Sequence, residues 1–146
     1  MKPIVRSYLA EVNLGTTIPG NGQNINIQDY PQLRDVIITG VEVFSFNQVA
    51  VSPQGKAVVG ALSGIVLTLM DKFNMEMIYQ YPTSDLNPAL TSGFYRDFVP
   101  FELQLTKSYI SILSNAGLLA NQSVCLNFFY VPKKDWKKYT ALYVRK

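Results

Sequence analysis

The chain of 146 residues is long enough for one domain with its own core and short for two. It has no histidine and one cysteine, which excludes an internal disulfide, a cysteine-based zinc site and the commonest general base. The net charge of +3 is uneven, because residues 133–146 hold six basic residues and one acidic residue. The rest of the chain is mildly acidic.

The first part of the chain predicts three β-strands. Residues 4–14 alternate without one purely apolar face, which is typical of an edge or interface strand. A glycine-rich loop follows, and residues 23–28 then predict a short strand. Residues 33–46 are apolar on both faces and predict a central strand, in which Gly40 indicates a bulge. Residues 57–62 fit a short strand and a small helix equally well.

A β-hairpin is predicted next, from residues 65–70 and 73–81. Asp71 and Lys72 separate the two strands, so the turn has either these two residues or a slightly longer loop. In the second strand, large apolar side chains recur at every second position from Phe73 onward. This alternation predicts that they face the core and that the polar residues between them face solvent.

The second part of the chain predicts three more strands, at residues 99–105, 107–113 and 123–131. Pro100 falls on the outward set of the first of these, which fits a strand start or an edge strand. Cys125 lies in an alternating apolar run and is interpreted as a small buried residue. No histidine is present to activate it as a nucleophile.

These short strands predict an all-β fold, a single antiparallel β-sandwich or barrel of seven to nine strands, with the jelly roll among the arrangements. Residues 1–132 are assigned to the sandwich. Residues 133–146 are assigned to the same domain as a basic C-terminal segment, either a tail or a turn around Trp136 and a final strand from Tyr139. No secretory signal is visible, and the longest uncharged run, 57–70, is too short for a membrane span, which needs about 20 residues.

The sequence shows no constellation that indicates catalysis, and we expect neither an enzyme nor a bound cofactor or metal. The glycine-rich residues 15–22 lack the Gly-Lys-Ser/Thr pattern of a phosphate-binding loop. Asp85 lacks the spacing of an EF-hand and is interpreted as a turn residue rather than a calcium ligand.

The basic C-terminal segment is a candidate for contact with nucleic acid. Lysines neutralise phosphates and an aromatic ring can stack on a base. The alternative is that the lysines are only solvated and the tryptophan is packed. The candidate residues are Lys133, Lys134, Trp136, Lys137 and Lys138.

The strands are rich in Asn, Gln and aromatic residues, histidine is lacking, and the polar loops at residues 81–88 and 98–101 contain prolines. In this general style, without a fixed motif, the chain resembles virion structural proteins of phages, which include small capsid, vertex and decoration proteins, commonly jelly rolls. The resemblance implies a structural assembly protein of the virion, present in the host cytoplasm during assembly. Its partners would be copies of itself and other virion proteins.

For such a function, the proline-containing loop after the hairpin is the first candidate interface, since prolines limit the entropy lost on ordering. Its residues are Tyr81, Pro82, Asp85, Leu86, Asn87 and Pro88. The loop at residues 15–22 and the two termini are further candidates. The alternative function is a small ligand-binding module of the carbohydrate-binding kind. Its candidate aromatic platform is Tyr79, Tyr81, Tyr95 and Trp136.

Overall fold

Strands make up most of the computed structural model, which describes residues 6–47, 62, 64–87, 96–116, 118 and 121–143. The strands are β1 (Arg6–Asn13), β2 (Asn24–Asn26), β3 (Val36–Asn47), β4 (Ile65–Met70), β5 (Glu76–Pro82), β6 (Arg96–Glu102), β7 (Tyr109–Ile112) and β8 (Gln122–Pro132). One helix, α1 (Trp136–Tyr143), follows them.

The strands form two antiparallel sheets, with the orders β1-β8-β3-β6 and β2-β7-β4-β5. The pairing is nested: β1 pairs with β8, β2 with β7, β3 with β6, and β4 with β5. A ribbon of such pairs wound into two facing sheets is a jelly roll. The predicted all-β sandwich is therefore confirmed, and among the described strands the two sheets do not close into a barrel.

The core lies between the two sheets and is built from alternate residues of the central strands. In β8, Val124, Leu126 and Phe128 are fully buried, and in β4, Leu67 and Leu69 are fully buried from the other side. Each such side chain contributes about 1.5–3 kcal/mol by leaving water. The facing strands therefore need no disulfide or metal to stay together.

Sequence analysis placed three features correctly: the central strand, its bulge and one edge strand. β3 lies between β8 and β6, and its register shifts between Ile38 and Gly40 against both neighbours. Against β8, Thr39 is an extra residue in β3. With this bulge, Ile38 and Val41 are both buried although they are three positions apart. β6 is an edge strand in which Pro100 is exposed, as predicted.

The final strand predicted from Tyr139 is wrong, because residues 136–143 form helix α1. Trp136 and Tyr139 are three positions apart, and their rings stack with centroids 5.2 Å apart. Residues at this spacing share one face of a helix, so a local contact replaces the cross-strand contact that a strand would need. The element predicted at residues 57–62 lies outside the described residues except for Leu62, which is buried.

Candidate interaction surface

The turn between β4 and β5 is organised by the side chain of Asp71, which is 9% exposed. Its Oδ1 accepts hydrogen bonds from the backbone amides of Phe73 and Met75, each at 2.9 Å. Asn74 adopts a left-handed conformation with a φ of 62°. The hairpin is thus confirmed, and the longer loop rather than the two-residue turn connects its strands, since the carboxylate takes up the free amide donors.

Strand β5 pairs irregularly with β4. The register shifts between Leu67 and Leu69 and again between Leu69 and Met70. Gln80 has a φ of 46°, and its amide donates to Thr68 Oγ1 at 3.2 Å instead of to a strand carbonyl. A bulge changes which side chains face the core, so a strict alternation of faces is lost along β5.

The prediction that the alternating apolar residues of this hairpin face the core is wrong for four of the five, those from Phe73 to Tyr79. Phe73 is 72% exposed, Met75 61%, Met77 39% and Tyr79 58%. The side chains of this strand that pack against the core are instead Ile78 and Tyr81, which are three positions apart. We call Phe73, Met75, Met77 and Tyr79 the apolar stripe.

The stripe is the main concentration of exposed apolar side chains in the described part of the chain. Four of the seven large hydrophobic residues that are exposed there belong to it, and the other three are scattered. These three are Leu9, Ile18 and Leu113. Scattered exposed hydrophobics are ordinary on a protein surface, whereas a contiguous group indicates an interaction site.

A charged cluster fixes one end of the stripe. Lys72 Nζ lies 5.2 Å from the centre of the Phe73 ring and 3.2 Å from Glu102 Oε1. The same Glu102 oxygen is 3.1 Å from Lys133 Nζ. Burial raises the pKa of Glu102, but hydrogen bonds from Lys133 and Lys72 outweigh burial and hold this pKa below its ordinary value. The cluster therefore ties the turn, β6 and the segment before α1 together.

The loop predicted as an interface is partly built into the domain. Leu86 and Asn87 are buried, and Asn87 Nδ2 donates to the carbonyl of Val43 at 2.9 Å. Thr83 Oγ1 also donates to backbone carbonyls, including that of Ile65 at 2.8 Å. Leu86 and Asn87 thus act in holding the loop onto the sandwich, and as placed they cannot contact a partner.

The other predicted residues of this loop differ in exposure. Pro82 and Asp85 are exposed, and Tyr81 is half-buried against the core. Pro88 lies outside the described residues. A role of Pro82 and Asp85 in an interface stays a prediction.

The nucleic-acid candidates are divided between paired and free positions. Lys133 is paired with Glu102, and the half-buried Trp136 has Tyr139 stacked on its ring. Both are therefore partly engaged within the protein. The remaining candidates are exposed: Lys134, Lys137 and Lys138. Nucleic-acid binding stays a prediction, and it now depends mainly on these three lysines.

The aromatic platform predicted for a ligand is not assembled at β5. Tyr79 is exposed whereas Tyr81 packs against the core, so these two rings do not form one surface. Trp136 is half-buried on α1, and Tyr95 lies outside the described residues.

Sequence analysis missed a cleft of about 320 Å³ at the edge strands β1 and β2. Tyr30 closes one side of it, since its hydroxyl donates to the carbonyl of Glu11 at 2.8 Å and accepts from the amide of Glu11 at 3.2 Å. No local pattern signals this cleft, because it arises where the two sheets meet. Five polar and two apolar residues line it: Glu11, Asn13, Asn26, Gln28 and Tyr30, with Val12 and Ile25.

Reactive groups are few in this surface and in the rest of the described chain. Cys125 is buried as predicted, and burial together with the nearby Glu11 carboxylate raises the pKa of its thiol to about 12. Within the described residues, no cluster of three or more acidic or cysteine side chains could hold a metal ion. No helix of the described chain is long and apolar enough to cross a membrane. Comparisons with protein-family models, curated proteins and solved structures found no match.

Proposed function

We propose that the protein is a structural assembly protein that works through repeated protein–protein contacts. The single observation that carries this proposal is the exposure of the apolar stripe, which lies in the turn before edge strand β5 and in the first half of that strand. Keeping four large apolar side chains in water opposes solubility, and a partner surface would remove that penalty.

The size of the stripe supports a contact role. A large side chain of this kind presents about 200 Å² when fully exposed, so the exposed fractions of the four side chains amount to roughly 450 Å². The largest apolar patch of an ordinary monomer is about 300–600 Å² and is often functional. The two methionines suit a contact that must adapt to small differences in geometry, because their side chains are flexible.

The fold and the style of the sequence support a narrower proposal, a viral or phage capsid or capsid-associated component located in the virion. Jelly rolls build capsids, but they also form lectins and cupins, so the fold alone does not choose among these functions. The likeness of the sequence to virion structural proteins favours the first of them. The proposal assigns no catalytic activity to the protein.

The test is the mass of the purified protein in solution, measured by sedimentation velocity and light scattering over a wide range of concentrations. The wild type is expected to shift to larger species as concentration rises. A Phe73→Ser, Tyr79→Ser variant should remain monomeric, because it removes the two aromatic rings of the stripe. A matched control, Ile18→Ser, Leu113→Ser, removes two apolar side chains of 48% and 56% exposure elsewhere and should assemble like the wild type.

Two results would count against the proposal. One is a wild type that stays monomeric at every concentration, and the other is equal assembly of the two double variants. Electron microscopy of concentrated protein tests the capsid proposal separately. Closed rings or shells of uniform size are expected, whereas a uniform dimer that grows no further would contradict a shell component and leave a simpler assembly role.

A second candidate function is binding of a small polyhydroxylated ligand, such as a sugar, in the cleft beside β1. Glu11, Asn13, Asn26 and Gln28 are among the residues that line this cleft, and polar groups of these kinds hydrogen-bond hydroxyls. Calorimetric titration with a panel of mono- and disaccharides tests this function. An Asn26→Ala, Gln28→Ala variant should lose any heat of binding that the wild type shows, and an absence of heat from every sugar would remove the candidate.

A further inference from the structure

We infer that the hydroxyl group of Tyr30 is a latch that keeps edge strand β1 closed to the addition of another strand. The surface that the latch closes is the row of backbone amides and carbonyls along β1, and the partner that fits this surface is an extended strand. The latch goes beyond the proposed function, since it concerns the backbone of β1 and not the apolar stripe.

The backbone groups of every second residue of β1 point away from the sheet. In an antiparallel pair, residues that bond to the neighbouring strand alternate with residues whose amide and carbonyl face outward. The amide of Leu14, just after β1, donates to the carbonyl of Gln122 in β8, whereas both backbone groups of Glu11 bind Tyr30. The even-numbered residues therefore bond to β8. The outward-facing row is Ser7, Leu9, Glu11 and Asn13.

Among the four edge strands of the described sheets, β1 is the longest and the most regular. It has eight residues, and its pairing with β8 includes all eight without a shift in register. β2 has three residues, β5 shifts register twice, and β6 contains Pro100. Short strands, bulges and prolines protect sheet edges from strand addition. β1 has none of these three features, and the Tyr30 hydroxyl supplies the protection instead.

The Tyr30 hydroxyl interrupts the outward-facing row near its middle. It donates to the carbonyl of Glu11 at 2.8 Å and accepts from the amide of Glu11 at 3.2 Å, so it takes both bonds that an added strand would make there. The longest free part of the row is then Ser7 to Leu9, which spans about 10 Å. Without the latch, the row from Ser7 to Asn13 spans about 23 Å, which is enough for an ordinary strand.

The ring of Tyr30 is held by contacts that do not involve its hydroxyl. Its centroid lies 5.5 Å from that of the Tyr8 ring, and the side chain packs against the core. The carbonyl of Tyr30 accepts from the amide of Leu33 at 2.9 Å, within the turn that begins at Pro31. A Tyr30→Phe substitution therefore removes the latch and keeps the packing of the ring.

The first test is amide hydrogen exchange, measured by NMR at low protein concentration. In a Tyr30→Phe variant, the amide of Glu11 should exchange about two- to tenfold faster than in the wild type, which is the effect of one lost hydrogen bond. The amide of Ala10 bonds to β8 and should keep its protection. The matched control is Tyr8→Phe, which removes the hydroxyl of the neighbouring ring and should leave the exchange of Glu11 unchanged.

The second test is strand addition at high protein concentration. It uses Tyr30→Phe in the Phe73→Ser, Tyr79→Ser background, where the aromatic rings of the apolar stripe are removed. Since β1 is then the one open edge among the described strands, two copies should pair through β1 and sediment as a dimer. The amide of Leu9, which faces outward in the monomer, should become protected. The background variant alone should stay monomeric, with a rapidly exchanging Leu9 amide.

Faster exchange of Glu11 together with a dimer that protects Leu9 would support the latch. Unchanged exchange of Glu11 would overturn it, and so would faster exchange without a dimer, because β1 would then not accept a strand. Lost protection of Ala10 would overturn it too, since the hydroxyl would then support the whole strand. The proposed function is tested by the stripe variants without Tyr30→Phe, so either inference can fail while the other stands.

Discussion

Replacing Asp71 by Ala tests whether one buried carboxylate shapes the surface that carries the proposed contact. The substitution removes the acceptor that binds the amides of Phe73 and Met75, each at 2.9 Å. Both of these residues are exposed, so water can reach the two amides once the carboxylate is gone. We expect the turn to loosen and the stripe to lose its fixed orientation.

The expected cost follows from the number and setting of these hydrogen bonds. A hydrogen bond to a charged group contributes about 1.5–3 kcal/mol when the donor would otherwise stay buried and unpaired. Removal of a capping side chain whose amides become hydrated costs about 0.5–2 kcal/mol. The Asp71 turn resembles the second case, and two amides are involved, so we expect a loss of about 1–2 kcal/mol in the free energy of unfolding.

The assay is urea denaturation followed by the fluorescence of Trp136, with Asp71→Asn as the matched control. Asn keeps an oxygen at the same position and should cost less than half of what Ala costs. The reasoning would be refuted if Asp71→Ala unfolded at the same urea concentration as the wild type. Equal losses for Ala and Asn would show that the charge, rather than the acceptor geometry, supports the turn.

Three further predictions concern other parts of the domain. The lowered pKa of Glu102 means that its stabilising effect is present above the ordinary value and is lost as pH falls through the folded value. Glu102→Gln should therefore lower the free energy of unfolding at neutral pH, by at most about 1 kcal/mol after solvent screening, and the difference from the wild type should vanish in acid denaturation curves. Gly64→Ala should cost about 1–3 kcal/mol in urea denaturation, because the added Cβ would meet the backbone of Ser114, whereas Gly20→Ala has open space and should be neutral. Cys125 should react slowly with a thiol reagent in the native protein and rapidly in denaturant, and fast native labelling would contradict its burial.

The strands that sequence analysis placed correctly are those whose pattern is set by their own residues. β3 is flanked by β8 and β6, as its apolar run predicts, and its register shift lies beside Gly40, the residue without a side chain. The exposed Pro100 on β6 likewise reports an edge, since proline cannot donate to a ladder. In these cases the chemistry of the residue itself indicates the local structure, so the prediction needs no information about distant contacts.

The apolar stripe could not be assigned to the correct face from sequence. Alternation states that residues at every second position share a face, but the same pattern fits a strand turned inward or outward. Phe73 and Met75 lie in the Asp71 turn before β5 begins at Glu76, and β5 itself shifts register twice against β4, where Thr68 binds the amide of Gln80. The burial of Asn87 was equally hidden, because its acceptor is the carbonyl of Val43, more than 40 residues away.

The four edge strands of the described sheets indicate that the assembly we propose would proceed through side chains. On β1, the Tyr30 hydroxyl occupies both the amide and the carbonyl of Glu11. β2 is only three residues long, β5 has its bulges, and β6 exposes Pro100, which has no amide hydrogen. Each of these features is a recognised obstacle to strand addition, the route by which sheets grow into fibres. A protein that blocks its edges in this way and yet exposes an apolar stripe is suited to contacts that close by symmetry instead of extending without limit.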